Sequence, residues 1–202
     1  MYKSDIEIIK RCYMHQPGDT LESVVRFVLA TIQQQFHTVP NILDQWAEHG
    51  LKSPTMWGSK KKGVKYIAKM KHYMAGALTD ADAVDAIDTL LQIPGLNTVK
   101  AAFVAQLLGF EVGCIDVHNA RIHGVNVQSF AVSSKLKAKT RLAKISAYVE
   151  LCRGLGGSEV LWDQWCHLIA DKQHSHFEDA DAVSRLHSLM IAHHVDQNPA
   201  RW

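Results

Sequence analysis

The sequence predicts an all-α protein, and three observations carry that prediction. Apolar residues recur at three- and four-residue spacing through most of the 202 residues. No stretch alternates apolar and polar residues cleanly, so no substantial sheet is expected. Pro-, Gly- and Asp-bearing turns of the kind that begin and end helices separate the periodic segments.

In chain order, residues 4–14 form a short amphipathic helix with Ile6, Ile9, Cys12 and Tyr13 on one side. Gln16-Pro17-Gly18-Asp19 breaks it, and Asp19 or Thr20 caps the next helix. That helix, residues 21–35, carries Leu21, Val24, Val25, Val28, Leu29 and Ile32 on a broad apolar face and ends in Gln33-Gln34-Gln35. Pro40 opens and Gly50 closes a third helix. A loop through Pro54 and Trp57 leads into a lysine-rich helix from Gly58 that Gly76 ends. Trp57 reads either as core or as a surface that stacks on a base. Residues 80–91 make an Asp-rich helix with Val84, Ile87, Leu90 and Leu91 inside.

The stretch from Ile93 to Arg121 organises the chain. Pro94-Gly95-Leu96-Asn97 is a tight turn, since proline fixes φ while Gly and Asn best tolerate positive φ. Thr98–Leu108 follows as a helix, with Ala101, Ala102, Ala105 and Leu108 at helical spacing, and Gly109 ends it. Backbone N–H groups at such a turn suit a phosphate, and a glycine lets the phosphate come close. A short loop, Gly113-Cys114-Ile115-Asp116, then ends in one carboxylate. Asp116 reads as a helix cap or as a catalytic group. Gly124–Ser134 connects to the rest, and its Val-Asn-Val-Gln-Ser-Phe-Ala-Val run is the nearest thing to a strand. Lys135–Arg153 is a helix closed by Gly154-Leu155-Gly156-Gly157. Ser158 caps the next helix, with Leu161, Trp165, Leu168 and Ile169 inward. Residues 180–195 make a last helix, and Pro199–Trp202 fray.

These residues resemble the helix–hairpin–helix DNA glycosylase superfamily (HhH-GPD), which includes endonuclease III. The family hairpin, of the form L-P-G-V-G, is matched by Ile93-Pro94-Gly95-Leu96-Asn97. Its packing Ala is matched by Ala101, and its V-D-x-H by Ile115-Asp116-Val117-His118, followed by Arg121. The resemblance covers residues 21–125. It implies a two-lobed helical fold with DNA in the cleft between the lobes. Residues 21–125 would form a six-helix barrel-like core, and residues 1–20 with 130–202 a second lobe. It also implies roles. Asp116 becomes the catalytic carboxylate. Gln33, with Gln34 as a close rival, becomes the residue that fills the gap left by an extruded base. Pro94, Gly95, Leu96, Asn97 and Thr98 anchor a phosphate. His118 and Asn119 support the loop or touch the DNA backbone, and Arg121 is a further DNA-binding candidate.

Two departures bear on the chemistry. Asn97 stands where the hairpin has its second Gly, a position it can hold in the left-handed conformation. Bifunctional members carry a lyase lysine five residues after the hairpin proline. Val99 stands there; Lys100, one residue further on and about 100° round the helix, is a second catalytic candidate, for lyase chemistry, or else a phosphate contact or an exposed helix lysine.

Net charge is only +2 and says little about partners. Its distribution says more. Lys60, Lys61, Lys62, Lys65, Lys69 and Lys71 lie in one acid-free stretch, and Lys135, Lys137, Lys139, Arg141 and Lys144 in another. Such clusters neutralise phosphates or simply solvate a helix face. Lys60 and Lys62 are the DNA-binding candidates in the first cluster. Four widely spaced cysteines fit a reducing compartment rather than a disulfide framework. Only Cys152 and Cys166 fall where some relatives hold an iron–sulfur cluster, so none is expected. Cys166, His167, His174 and His176 lack the spacing of a zinc site. A monovalent cation at the hairpin is the one cofactor the resemblance leaves room for. No apolar run is long enough to span a bilayer, and the charged N-terminus lacks a signal-peptide core. A monomeric, cytoplasmic, nucleoid-associated protein acting on double-stranded DNA is therefore expected.

Three functions compete. The first is a glycosylase, monofunctional because Val99 occupies the lyase position, that flips a damaged, modified or mispaired base and hydrolyses its glycosidic bond. The second is a transferase on the same fold, of the phage type that places an amine or amino acid on an activated 5-hydroxymethyl pyrimidine. The third is a non-catalytic DNA-binding module.

Overall fold

The computed structural model describes residues 3–35, 38–132 and 136–173. These residues are all-helical, with no strand among them. Among the described residues nine α-helices follow one another: α1 (Lys3–His15), α2 (Pro17–Ala30), α3 (Val39–His49), α4 (Gly58–Leu78), α5 (Ala83–Leu90), α6 (Thr98–Leu107), α7 (Val117–His123), α8 (Ala138–Gly154) and α9 (Gly157–Gln173). Residues Val127–Phe130, read from sequence as nearly a strand, form a 3₁₀ turn. Asn126 starts that turn by accepting from the Gln128 N–H. No helix among the described residues is long and apolar enough to cross a membrane.

Two helices make the middle of the molecule. In α6, Ala101 through Leu107 are all buried, as expected of a helix apolar all round. In α2, Leu21, Val25, Phe27, Val28, Leu29 and Ala30 are wholly excluded from solvent. α2 lies along α4 and also touches α1, α3 and α6. α8 packs on α5 and α9, and α9 on α7. The buried apolar side chains form one contiguous cluster that runs from Ile6 in α1 to Cys166 in α9.

Several boundaries differ from the sequence reading. α2 starts at Pro17, which takes the first turn where a missing N–H costs nothing, so neither Asp19 nor Thr20 caps it. It also stops at Ala30, and residues 31–35 leave it as a turn in which Thr31 Oγ1 donates to Val28 O. α4 runs through Gly76 to Leu78, because that glycine meets open space and nothing forces the chain to turn. α5 begins at Ala83, since Asp82 caps it by accepting from Val84 and Asp85 N–H. α8 starts at Ala138, and Ser158 lies inside α9 rather than ahead of it. The helix expected over residues 180–195, the tail 199–202, and His174 and His176 lie outside the described residues.

Candidate functional site

The hairpin joins α5 to α6. Leu90, Ile93 and Leu96 bury their side chains, and the Leu96 N–H closes the turn on Ile93 O at 3.1 Å. Gly95 takes φ +97°, a conformation costly for any residue with a Cβ. Asn97 does not. Its backbone is extended at φ −101°, and its side chain caps α6 by accepting from the Lys100 N–H at 2.9 Å. Asparagine is among the best N-caps, and that role displaces the left-handed one. The N–H groups of Gly95, Asn97, Thr98 and Val99 have no acceptor among the described residues. Thr98 is buried, with its hydroxyl on Phe130 O, so it can meet a phosphate only through its backbone, and Leu96, whose N–H is spent on Ile93 O, has no donor to offer.

Behind the hairpin stands a residue that the sequence reading passed over. A Cβ on Gly63 of α4 would lie 2.4 Å from Pro94 O and 2.8 Å from Leu29 Cδ1. The glycine therefore seats the hairpin directly on α4. A close-packed glycine leaves no local signal, since it is not at a helix end and needs no special φ.

Asp116 performs the cap and keeps an oxygen for something else. Its Oδ1 accepts from the N–H groups of His118 (2.9 Å) and Asn119 (3.2 Å), starting α7. Its Oδ2 accepts from the indole Nε1–H of Trp165, on α9, at 2.9 Å. The loop before it is fastened from three sides. Tyr148 of α8 donates to Gly113 O and accepts from the Ile115 N–H, both at 2.9 Å. Gln106 of α6 accepts from Cys114 N–H and donates to Ser158 O. Asn119 Nδ2 donates to Cys114 O and Leu161 O. All three side chains are buried, and unmaking such bonds would strand backbone groups away from water.

Lys100 points inward. Its Nζ donates to Thr31 Oγ1 at 3.2 Å and lies 5.5 Å from the centroid of Phe103. Phe103 packs on Trp165 at 5.5 Å between centroids, and Trp165 is stacked on Trp162. An aromatic floor thus runs from the Lys100 amine to the Asp116 carboxylate. Both charges are felt at one place. Burial, then the nearby Asp116 charge, pushes the Cys114 thiol up, while Lys100 pulls it down. Val99, at the position of the family's lyase lysine, is a half-buried residue packed on the core.

Gln33 is the one non-glycine residue at positive φ among those described, at +54°, and it is exposed, as is Gln34. Backbone strain of this kind is held only where the surroundings impose it. It follows the early end of α2, whose C-terminal turn is occupied from two sides. Lys100 reaches Thr31, and Lys60 Nζ reaches Ala30 O at 3.4 Å.

Lys60 corrects the sequence reading. It is fully buried, not a surface cation for phosphate. Its amine sits on the carbonyl end of α2 and 5.5 Å from the ring of Trp57, so a helix dipole and an aromatic face take the place of a carboxylate. Trp57 itself is 47% exposed and is not a core residue. Lys71 also leaves the basic cluster, since it pairs with Asp19 (2.6 Å) and Glu22 (2.9 Å). Lys61, Lys62, Lys65 and Lys69 remain exposed on α4. In the second cluster Arg141 pairs with Asp88, and Lys144 donates to Ser129 O and Ala131 O. Lys137 and Lys139 are exposed, and Lys135 lies outside the described residues. Arg121 is exposed on α7, and His118 is half-buried in its first turn.

Burial holds the Lys60 amine below its ordinary value of 10.5. Where the pH lies below the folded value, both states are protonated and the full cost of burying the charge is felt. Between that value and 10.5 the unfolded chain binds the extra proton, so stability from this group rises with pH. Lys60→Met should be on the order of 1 kcal/mol more stable than wild type at neutral pH. The gap should shrink as pH climbs toward 10.5. Urea unfolding across that range measures it, and a gap that does not change with pH would contradict the assignment.

No family model, curated protein or solved structure matches the chain. The family resemblance therefore rests on the hairpin, the packing alanine and the loop carboxylate themselves.

Proposed function

We propose that the chain is a DNA glycosylase that flips a damaged, modified or mispaired base from duplex DNA and hydrolyses its N-glycosidic bond. The observation that carries this reading is the arrangement of Asp116. One of its oxygens caps a helix, the other is held by Trp165, and the rings of Trp165 and Phe103 lead from it to the inward-facing Lys100. A purely structural cap needs only the first of these.

The hairpin N–H groups take a phosphate, which fixes register without reading sequence. Lys62 and its exposed neighbours on α4, with Arg121, add charge toward the backbone. Gln33 enters the duplex where the base has left, and extrusion costs a few kcal/mol. As the C1′–N bond breaks, its electron pair leaves with the base, which takes up a proton. C1′ gains positive character, and the Asp116 carboxylate stabilises it. Water adds to C1′ and gives up a proton, with Asp116 orienting or accepting it. The product is an abasic site in an intact strand. In this reading the DNA lies between a lobe built on residues 21–125 and one built from the two ends of the chain. No cofactor takes part.

The test uses duplex oligonucleotides carrying a panel of damaged, mismatched and 5-substituted bases, with and without hot alkali. Mass spectrometry of the product nucleosides follows. Strand breaks only after alkali, absent with Asp116→Asn, are the expected result. Breaks without alkali, trapped by borohydride and lost in Lys100→Ala, would make the enzyme a lyase. A base that gains mass in an unbroken strand would replace the glycosylase with a transferase.

A further inference from the structure

One group has a role that neither the fold nor the hairpin explains: the indole N–H of Trp165. Trp165 is 4% exposed and comes from α9, far from the hairpin in sequence. Its ring is fixed by stacking on Trp162, with centroids 5.2 Å apart and planes 15° from parallel, and by Phe103 on another side. So fixed, its Nε1–H has one direction, and that direction ends on Asp116 Oδ2.

We infer that Trp165 is a positioning residue that aims the Asp116 carboxylate. The inference rests on the reading of Asp116 as the group beside the sugar. A carboxylate has about four lone-pair sites. Two on Oδ1 are taken by the cap and one on Oδ2 by Trp165, which leaves a single lone pair on Oδ2 for a substrate atom or a water. Without the indole, Oδ2 would swing about the capped Oδ1. With it, the carboxylate plane is set from both ends by rigid donors, and such preorganisation is what makes a charge effective in a transition state. Two nearby titratable groups do not fix its direction: Cys114 is a buried thiol, and Lys100 is drawn to Thr31.

The experiment compares Trp165→Phe with Trp46→Phe. Both trim a buried indole and lose a hydrogen bond from its N–H, and only the first removes the donor to Asp116, since Trp46 donates to Thr55. Each is assayed on the base identified from the panel above, and the Trp165 indole N–H resonance is compared by NMR in wild type and Asp116→Asn. For Trp165→Phe we expect kcat to fall roughly tenfold to a hundredfold with KM unchanged. Trp46→Phe should lower thermal stability comparably yet leave kcat in place. The indole resonance should move in Asp116→Asn. If Trp165→Phe keeps wild-type kcat, or that resonance stays where it is, the inference is wrong. If Asp116→Asn itself retains activity, the reading of the carboxylate falls. A moved indole resonance would then still establish that Trp165 holds the carboxylate.

Discussion

Asp116→Asn is expected to slow base removal by about a thousandfold while leaving the protein folded. One neutral donor in a preorganised site is worth about 10²–10³ in rate, and a full charge beside a developing cation sits at the upper end. The substitution is selective because asparagine is as good an N-cap as aspartate. The amide oxygen can still accept from His118 and Asn119, so α7 keeps its start. The second position becomes an NH₂ facing the Trp165 N–H, a donor against a donor. A stability loss of about 1 kcal/mol is reasonable for that mismatch. Single-turnover kinetics and thermal melts together measure both effects. A variant that stays folded and keeps its rate would remove Asp116 from the chemistry. A variant that unfolds would mean that its charge chiefly holds the loop.

Gly63→Ala is expected to be the most damaging single methyl group in the molecule for DNA binding. The added carbon would meet the Pro94 carbonyl and Leu29 at distances that atoms do not share. Pro94 O belongs to the backbone of the hairpin and has no rotamer to escape into. Either α4 moves away from α2, or the hairpin moves out. Overpacking of this sort costs about 2 kcal/mol. Displacing the N–H groups of Gly95, Asn97, Thr98 and Val99 should weaken duplex affinity at least tenfold, on the order of one lost set of phosphate contacts. Gly76→Ala is the matched control on the same helix. Its Cβ meets nothing, so it should stabilise by roughly 0.5 kcal/mol and bind DNA like wild type. Equal affinities for wild type and Gly63→Ala, by fluorescence anisotropy at fixed salt, would show that the hairpin is not seated on α4.

The two variants mark the boundary of what the sequence could tell. The hairpin, the end of α6 at Gly109 and the start of α7 were legible because each is written in adjacent residues. Proline, glycine and a capping side chain act within one turn. The same local logic misled at Asn97, where two preferences of one residue compete and capping wins. It misled again at Gly76, which a helix tolerates when nothing else stops it. Lys60 was misread for a different reason. A lysine in a lysine run looks like surface, and only the carbonyl end of α2 and the Trp57 ring make its burial affordable. Trp165 and Tyr148 were read as inward-facing and as nothing in particular. Their bonds to the Asp116 loop span 49 and 33 residues, and no periodicity announces a partner at that distance.

The buried thiol of Cys114 gives the loop a reporter of its own motion. All four cysteines in the described residues are reduced and buried, and Cys114 sits next to the Tyr148 and Gln106 fastenings. A thiol reagent can reach it only when those fastenings open. The rate of native-state labelling, followed by mass, therefore counts the openings of the Asp116 loop. It needs neither a substrate nor an added probe, and bound duplex should slow that count if the loop closes on DNA.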